Sequence, residues 1–472
     1  MRHDLVVFVP GITGTRLRRD GKDLWALSPG MLAGAVPPRR LLERLALPEG
    51  IGDGRPEGPF AVQADQLMTR PTGLPGLLMN LGYPQVTGLL DGVLPEQFVA
   101  FPYDWRLDNR LTARDLQARV ERELARWTED FRTHYPKAED DPRVVLICHS
   151  MGGLVARHYL ECLGGRETAR LLVTVGTPHR GAAKAVRFLT GHGVGKSLLG
   201  RKAAALAGGL GERLAELCRT FPSVGQLLPV YEAVRRPGFP EGYYEDLTVL
   251  DVGLPTAMVQ DVFAFHETFE TAVLDNLRRS PDLRLPYRVA CLGGSGHPTT
   301  HGVVVSPGGE LGFLDELDDI DPWSGDGTVP MESAFAAWAL RGMDEAMWNG
   351  HRHGQLISRE AFGHQLDAVY HGKSARDTLA GDDDFGIEAP ELAVAGEPFE
   401  IVATGVARGR PVAATLTSHD PAAPEIRTAL TEAGRDELRG SLTAGPGIWV
   451  LTVQAESPKV VQREAVMVVQ AQ

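Results

Sequence analysis

The sequence contains few cysteines. Only four occur in 472 residues, and they lie far apart in apolar surroundings: Cys148, Cys162, Cys218 and Cys291. This spacing excludes a disulfide framework and a C-x-x-C metal site, so we expect buried thiols. No apolar run is long enough to span a bilayer. We also expect no secretory leader, because an apparent core strand begins at Leu5, and therefore a cytoplasmic location.

The sequence also lacks an excess of positive charge. It has 48 Lys and Arg against 61 Asp and Glu, which gives a formal net charge of -13. A nucleic-acid partner is not expected, because neutralising phosphates requires concentrated Lys and Arg. The hydrophobic content of 43% and the charged content of 23% are those of a globular protein, and the length favours two or three domains.

Short apolar runs alternate with helical patterns in the first part of the chain. The runs are continuous rather than alternating, which is typical of strands covered on both faces of a parallel sheet. Apolar residues at helical spacing lie between the runs, in 111–135 and 151–165. This order predicts an α/β fold with a mainly parallel sheet. The runs are LVVFVP (5–10), EQFVAF (96–101), RVVLIC (143–148), RLLVTV (170–175) and YRVACL (287–292).

Two changes of pattern divide the chain. An insertion at about 180–286 contains an amphipathic stretch, and it is either a helical cap over a site or extra helix that covers the core. We expect the first domain to occupy 1–378 and an acidic, glycine-containing linker to occupy 379–387. Short alternating strands then predict a β-sandwich of immunoglobulin-like type over 388–472.

Residues 144–155, VVLICHSMGGLV, read as a strand, a tight turn and a helix with Ser150 at the turn. In this arrangement a strained turn holds a serine nucleophile above the sheet. Small residues are needed on both sides because the strand and helix backbones come close. Gly152 meets that need, whereas Cys148 stands where glycine is usual. The alternative is an ordinary turn with a serine helix cap, but the complete strand-turn-helix pattern favours a nucleophile.

A serine of this kind requires an acid and then a histidine downstream, in that order. Asp326 lies between two glycines in DPWSGDGTVP, a composition that presents a carboxylate on a tight loop. The segment 348–370 supplies the histidines, and its apolar pattern predicts a helix beginning just after His353. We choose His353 as the base and keep His351 as the alternative.

Ester cleavage also needs two N–H donors for the oxyanion. Met151 lies at the start of the predicted helix, where its N–H group points towards the site. The second donor is expected from the glycine-containing loop that follows the first strand, in VVFVPGITGTRL. The N–H group of Ile12 is the best candidate there, and losing one such donor typically costs about 3 to 4 kcal/mol of transition-state stabilisation.

Several segments occur in the order found in the lecithin:cholesterol acyltransferase family. The chain resembles this family, which includes phospholipid:diacylglycerol acyltransferases and phospholipase A-type enzymes, over residues 5–370. The Y-D-W-R and P-S-x-x-x-L-L-P motifs are more specific than the serine turn alone. The segments are VPGITGTRL, FPYDWRLDNR, CHSMGGLVARHYLE, VTVGTPHRGAAKAV, RTFPSVGQLLPVY, LGGSGHPTT and GDGTVP.

The resemblance implies an α/β-hydrolase fold and a lid, which favours a cap at 180–286. It assigns the same triad and oxyanion donors by motif. It also implies that Tyr103 and Trp105 of the Y-D-W-R motif shape the acyl pocket, bind substrate and fix the adjacent loop. The resemblance implies the role in shaping the pocket and fixing the loop for Asp104 and Arg106 as well, but a buried structural ion pair explains these two residues at least as well.

The sequence therefore predicts a serine acyl-ester hydrolase or O-acyltransferase that acts on lipid esters through an acyl-serine intermediate. The acceptor is water or an alcohol, and neither a metal nor a cofactor is expected. The alternative is a non-catalytic binding protein with a hydrolase-like core that presents the C-terminal sandwich to a protein partner. The sandwich is expected to serve protein contact or domain packing.

Overall fold

The structure is a computed structural model, and it describes most of the chain. The described residues are 3–26, 43–74, 78–84, 86–90, 93–192, 211–236, 238, 244–248, 253–314, 324–335, 346–372, 385–418, 423–434, 437–456 and 459–470. The linker predicted at 379–387 falls largely outside these ranges, as does part of the amphipathic stretch of the insertion.

A six-stranded parallel sheet forms the centre of the first domain. In spatial order it runs β6-β5-β4-β3-β1-β2, and every neighbouring pair is parallel. The continuous apolar runs form its interior because such strands are covered on both faces. The strands are β1 (Leu5–Val9), β2 (Phe98–Ala100), β3 (Val144–His149), β4 (Ala169–Val175), β5 (Arg288–Gly294) and β6 (Ala346–Asn349).

Helices cover the two faces of this sheet. The longest are α1 (Asn109–His134), α2 (Gly152–Cys162), α3 (Thr256–Arg279) and α4 (Arg359–Tyr370). Odd positions of β1, such as Val7, share an apolar cluster with α1, α2 and α3, whereas Phe8 shares one with α4. The alternation of side chains along a strand therefore separates two apolar layers. The predicted α/β-hydrolase fold is confirmed.

Shorter elements connect these parts. Helical turns lie at Gly58–Phe60, Val86–Gly88, Pro95–Gln97, Gly165–Glu167, Ala183–Arg187, Phe188–His192, 211–218 and Pro222–Gly225. Small sheets pair Thr15–Arg19 with Lys22–Trp25 and Gln63–Leu67, Thr72–Leu74 with Leu78–Asn80, and Gly302–Val305 with Val234–Arg235 and Leu311–Leu314. None of the described helices combines the length and the apolar character that a membrane span requires.

The insertion predicted at 180–286 contributes to the core. Helix α3 packs beside α2, and its Phe265 and Phe269 are fully buried in the main apolar cluster. This part of the insertion is therefore helix that covers the core. The residues at 193–210 lie outside the described ranges, so a cap formed by them stays a prediction.

The C-terminal region is a β-sandwich of two sheets. One sheet runs β7-β9-β13-β12 and the other β8-β15-β14-β10-β11, and among the described strands of the sandwich only β8 and β15 pair in parallel. Its immunoglobulin-like type stays a prediction. The strands are β7 (Gly386–Glu388), β8 (Leu392–Val394), β9 (Pro398–Thr404), β10 (Val412–Ser418), β11 (Ile426–Ala429), β12 (Thr431–Gly434), β13 (Glu437–Thr443), β14 (Gly447–Ala455) and β15 (Val460–Val469).

The sandwich shares apolar packing with the first domain. Leu392, Val394 and Val469 are buried in the same cluster as Phe188 and Val303 of the first domain. A separate cluster fills the space between the two sheets of the sandwich. Because the two domains share buried apolar surface, unfolding one exposes part of the other.

We expect Leu392→Ala to lower the stability of both domains together. The substitution removes buried methyl groups at the interface and should cost about 2 to 5 kcal/mol. Scanning calorimetry should show one cooperative transition that moves to lower temperature as a whole. Two transitions, of which only one moves, would contradict the shared core.

Candidate active site

The turn after β3 holds Ser150 in a strained conformation. Its φ of 53° lies in the left-handed region that residues with a side chain seldom adopt. The Ser150 N–H group donates to Val175 O at 2.9 Å, and the Thr177 hydroxyl donates to Ser150 O at 2.9 Å. These bonds to β4 and to the loop after it fix the turn between the strand and α2.

Close backbone contacts explain the glycines on either side. A Cβ atom on Gly152 would lie 2.6 Å from the carbonyl oxygens of Val9 and Pro10. A Cβ atom on Gly11 would lie 2.8 Å from Cβ of Ser150. Both distances are too short for any other residue. Cys148 has room for its side chain, and it is fully buried in β3, where burial raises the pKa of its thiol.

Three predicted residues meet at the carboxyl edge of the sheet. Ser150 Oγ lies 2.9 Å from His353 Nε2, and His353 Nδ1 lies 2.7 Å from Asp326 Oδ2. All three side chains are buried. The structure thus joins segments more than 170 residues apart in the order serine, histidine, carboxylate. His351 lies on the same loop, where its N–H group donates to Asn349 Oδ1, and it is His353 that contacts Ser150.

The carboxylate of Asp326 is stabilised as an anion. Burial acts to raise its pKa, but His353 and the N–H groups of Val329 and Thr328 together hold the pKa below its usual value. Those two N–H groups donate to Oδ1 at 2.7 and 2.9 Å, which leaves Oδ2 for the histidine. An ionised Asp326 keeps the proton of His353 on Nδ1 and directs Nε2 at the serine.

The loop after β1 passes beside Ser150. It begins at Pro10 and contains Thr13, whose φ of 62° is a second left-handed backbone in a residue with a side chain. Among the described residues, the N–H groups of Ile12 and Met151 donate to no other part of the chain. Both N–H groups are therefore unoccupied within the described part of the chain, and their role as oxyanion donors stays a prediction.

The Y-D-W-R motif braces this loop. The Tyr103 hydroxyl donates to Pro10 O at 2.8 Å, and Trp105 Nε1 donates to Thr15 O at 3.2 Å. Arg106 is fully buried and pairs with Asp104 through bonds of 2.9 and 2.7 Å. The motif thus holds the loop and contains a buried ion pair. The substrate contacts predicted for Tyr103 and Trp105 stay predictions.

A hydrogen-bond network that the sequence did not predict connects the loop after β1, the turn of Ser150 and the loop of His353. The Tyr83 hydroxyl accepts hydrogen bonds from Gly11 N and from Asn80 Nδ2, each at 3.0 Å. It therefore donates to His149 Nδ1 at 2.9 Å, and His149 Nε2 donates to the carbonyl oxygen of His353 at 3.2 Å. Tyr83 lies in a segment of turns and short strands, where nothing in the sequence marks it as part of a site.

Burial keeps His149 neutral within this network. Burial, together with the nearby His353, lowers the pKa of His149 to about 3. A neutral imidazole can accept a hydrogen bond from the tyrosine at one nitrogen and donate a hydrogen bond from the other. His149 therefore positions the loop that carries His353.

Among the described residues, no group of three His, Cys, Asp or Glu side chains is placed to hold a metal ion.

Comparison with known families agrees with the motifs. Residues 90–236 match the model of the lecithin:cholesterol acyltransferase family. The predicted resemblance to this family is confirmed. The matched range contains the Y-D-W-R motif, Ser150 and α2, whereas Asp326 and His353 lie beyond it. No protein of curated function matches the chain.

Several solved structures are similar to this one. The Tle4–Tli4 complex has 16% identity and a TM-score of 0.46, over 78% of this chain and 98% of that chain. The propeptide form of the Bacillus licheniformis lipase BlEst2 has 13% identity and a TM-score of 0.33, over 98% and 73%. Phospholipase PlaB from Legionella pneumophila has 12% identity and a TM-score of 0.26, over 99% and 93%. Similarities this distant say nothing about the chemistry of this chain.

We expect Tyr83→Phe to lower the reactivity of Ser150. The change leaves Gly11 N and His149 Nδ1 buried without their shared partner, which should cost about 1 to 3 kcal/mol of stability. Displacing the His353 loop should slow labelling of Ser150 by a fluorophosphonate about 10- to 100-fold. Labelling kinetics below the unfolding temperature provide the measurement. A Tyr83→Phe protein that is labelled at the wild-type rate would remove this network from the site.

The buried histidines predict that acid destabilises the protein. Burial lowers the pKa of His266 to about 3 and that of His158 to about 4, as it does for His149. Below about pH 6.5 the unfolded chain takes up protons that the folded chain does not, so the free energy of unfolding falls. Each such histidine contributes up to about 1.4 kcal/mol per pH unit. Urea unfolding at pH 7, 6 and 5 should show this loss.

A matched pair of variants tests whether the buried histidines cause this loss of stability in acid. His266→Gln should make the loss between pH 7 and pH 5 smaller, whereas His364→Gln, on the exposed side of α4, should leave it unchanged. The lowered pKa of Asp326 does not contribute in this window, because its stabilisation is lost only as the pH falls through the folded pKa, below 3.8. A free energy of unfolding that stays constant from pH 7 to pH 5 would contradict the neutral buried histidines.

Proposed function

We propose that this protein is a serine-dependent lipid-ester hydrolase in which Ser150, His353 and Asp326 are the catalytic triad. The observation that carries the proposal is the hydrogen-bonded chain from Ser150 Oγ through His353 to Asp326, with distances of 2.9 and 2.7 Å. It occurs at a serine in a strained turn, beside two unoccupied backbone N–H groups. The match of residues 90–236 to the lecithin:cholesterol acyltransferase family supports acyl esters of lipids as the substrates.

In the first step Ser150 Oγ attacks the carbonyl carbon of the ester. His353 Nε2 takes the serine proton as the new bond forms, and the resulting imidazolium is stabilised by Asp326 through the bond to Nδ1. The carbonyl oxygen becomes an oxyanion, which accepts hydrogen bonds from the N–H groups of Ile12 and Met151. His353 then protonates the leaving alcohol, and the acyl group remains on Ser150.

The second step releases the acyl group. Water or an alcohol enters, and His353 removes its proton as it attacks the acyl-serine carbonyl. The bond from the carbonyl carbon to Ser150 Oγ then breaks, and His353 gives the proton to Oγ, which restores the serine hydroxyl. The acceptor depends on how completely the closed site excludes water. We favour water as the acceptor, with phospholipids or neutral lipid esters as substrates, and we place transfer to an alcohol second.

We expect Ser150→Ala to abolish turnover. Removing the nucleophile of such a triad lowers kcat by at least about 1,000-fold, because only the binding and oxyanion terms remain. The assay is release of labelled fatty acid from a phospholipid and from a triacylglycerol, with and without an added alcohol. Labelled free acid indicates hydrolysis, and a labelled new ester indicates transfer.

Ser280→Ala provides the control. Ser280 follows α3, so this variant carries the same chemical change outside the site and should keep wild-type turnover. A fluorophosphonate should label the wild type and Ser280→Ala but not Ser150→Ala. Full turnover by Ser150→Ala, or a wild type that resists the probe, would refute the mechanism and favour a non-catalytic protein.

A further inference from the structure

The loop that carries His353 is held by the C-terminal sandwich. Gln462 of β15 is fully buried, and its side-chain amide donates to Gly350 O at 2.6 Å and to Phe385 O at 3.0 Å. On the other side of His353, the side chain of Gln355 accepts a bond of 2.8 Å from the N–H group of Arg463. Strand β15 is thus bonded to the base loop both before and after the histidine.

Arg352 makes a third connection beside the histidine. Its guanidinium pairs with Glu464 of β15 and donates to Ile387 O of β7 at 2.6 Å. The same guanidinium also lies over Gly327, where an added Cβ atom would be 2.9 Å from Nη2. It therefore fills the space between the turn of Asp326 and the sandwich.

Lys184 connects the acid turn to the sandwich in the same way. Its ammonium group donates to Gly327 O at 3.2 Å and to Thr328 Oγ1 at 3.3 Å. It also pairs with Glu391 of the sandwich at 2.6 Å. Gly327 and Thr328, the two residues that follow Asp326, are thus bonded through one lysine to a carboxylate of the other domain.

The charges at this interface are complementary. The first domain supplies the cations Arg352 and Lys184, and the sandwich supplies the anions Glu464 and Glu391. Both pairs are largely shielded from solvent, with side-chain exposures of 10% and 7% for the first and 12% and 15% for the second. Burial raises the pKa of Glu464, and the Arg352 charge opposes that rise. Removing one member leaves a buried charge without its partner, which displaces its surroundings.

His297 adds a neutral contact of the same kind. Its Nε2 donates to Gly350 O at 2.8 Å, and its Nδ1 accepts from the N–H group of Ile387 at 3.2 Å. His297 also donates through its backbone to Gly325 O, next to Asp326. The base loop, the acid turn and β7 therefore meet at one buried residue.

We propose that the C-terminal sandwich is a positioning module for the triad, in which Gln462, Glu464 and Glu391 hold the His353 loop and the Asp326 turn in place. The inference rests on the proposed function, because it assigns these residues an effect on the reaction of Ser150. They touch neither substrate nor reacting atoms, and they act through Gly350, Arg352 and Lys184.

Three variants test the module within the full-length protein. Glu464→Gln and Glu391→Gln keep the size of the side chain and remove one charge, and Gln462→Leu removes the donor to Gly350. Glu400→Gln is the matched control, because it breaks an exposed ion pair with Arg439 on the sandwich. All are assayed well below their measured unfolding temperatures.

The readouts separate positioning from folding. The final extent of fluorophosphonate labelling counts folded molecules, whereas the labelling rate constant and kcat report the geometry at Ser150. We expect Glu464→Gln and Gln462→Leu to lower both rates about 10- to 100-fold, with KM for p-nitrophenyl butyrate and the extent of labelling unchanged. Glu391→Gln should show a smaller loss in the same direction, and Glu400→Gln should match the wild type.

Two results would overturn the inference alone. In the first, the wild type is labelled by the fluorophosphonate, and the interface variants have the same labelling rate constant and kcat as the wild type. The other is a reduced extent of labelling with a normal rate constant, which would mean that the sandwich only stabilises the fold. A wild type that is not labelled at all would instead overturn the proposed function, and this inference with it.

Discussion

The backbone at Ser150 has very little freedom, and the other parts of the site are arranged around it. The serine adopts φ 53° because β3 ends at the residue before it and α2 begins two residues after it. Gly152 lies against the carbonyl oxygens of Val9 and Pro10, so this turn also sets how close the loop after β1 can approach. The Ser150 hydroxyl contacts His353, and His353 contacts Asp326, because the histidine loop and the acid turn both extend to this position.

The sequence was sufficient for the elements that follow simple periodicities. The continuous apolar runs became β1 to β5, and the helical spacing at 111–135 became α1, within two residues at either end. The short strand Ala346–Asn349 was missed because AMWN carries no branched run. Motif order and resemblance placed Ser150, Asp326 and His353, because each lies on a turn whose glycines or flanking elements mark it locally.

The residues that position the triad could not be predicted in this way. Tyr83, Lys184 and Arg352 belong to segments whose local pattern gives them no special role, and each becomes significant through a partner distant in sequence. Gln462 reads from the sequence as an ordinary residue of an alternating strand. Its amide lies at the interface because of domain packing, which hydrophobic periodicity does not encode. A pattern of local spacing predicts reacting groups better than the side chains that support them.

The bond from Gln462 to Gly350 joins residues 112 positions apart, so the order of synthesis determines when it can form. Synthesis proceeds from the N-terminus, so Ser150, Asp326 and His353 all leave the ribosome well before β15 does. Contacts of such long range form late in folding, since closing the intervening chain costs entropy. The nascent chain therefore contains Ser150, Asp326 and His353 before it contains the strand that is bonded to the His353 loop. The bonds from β15 to the His353 loop can therefore form only after synthesis has passed through the second domain.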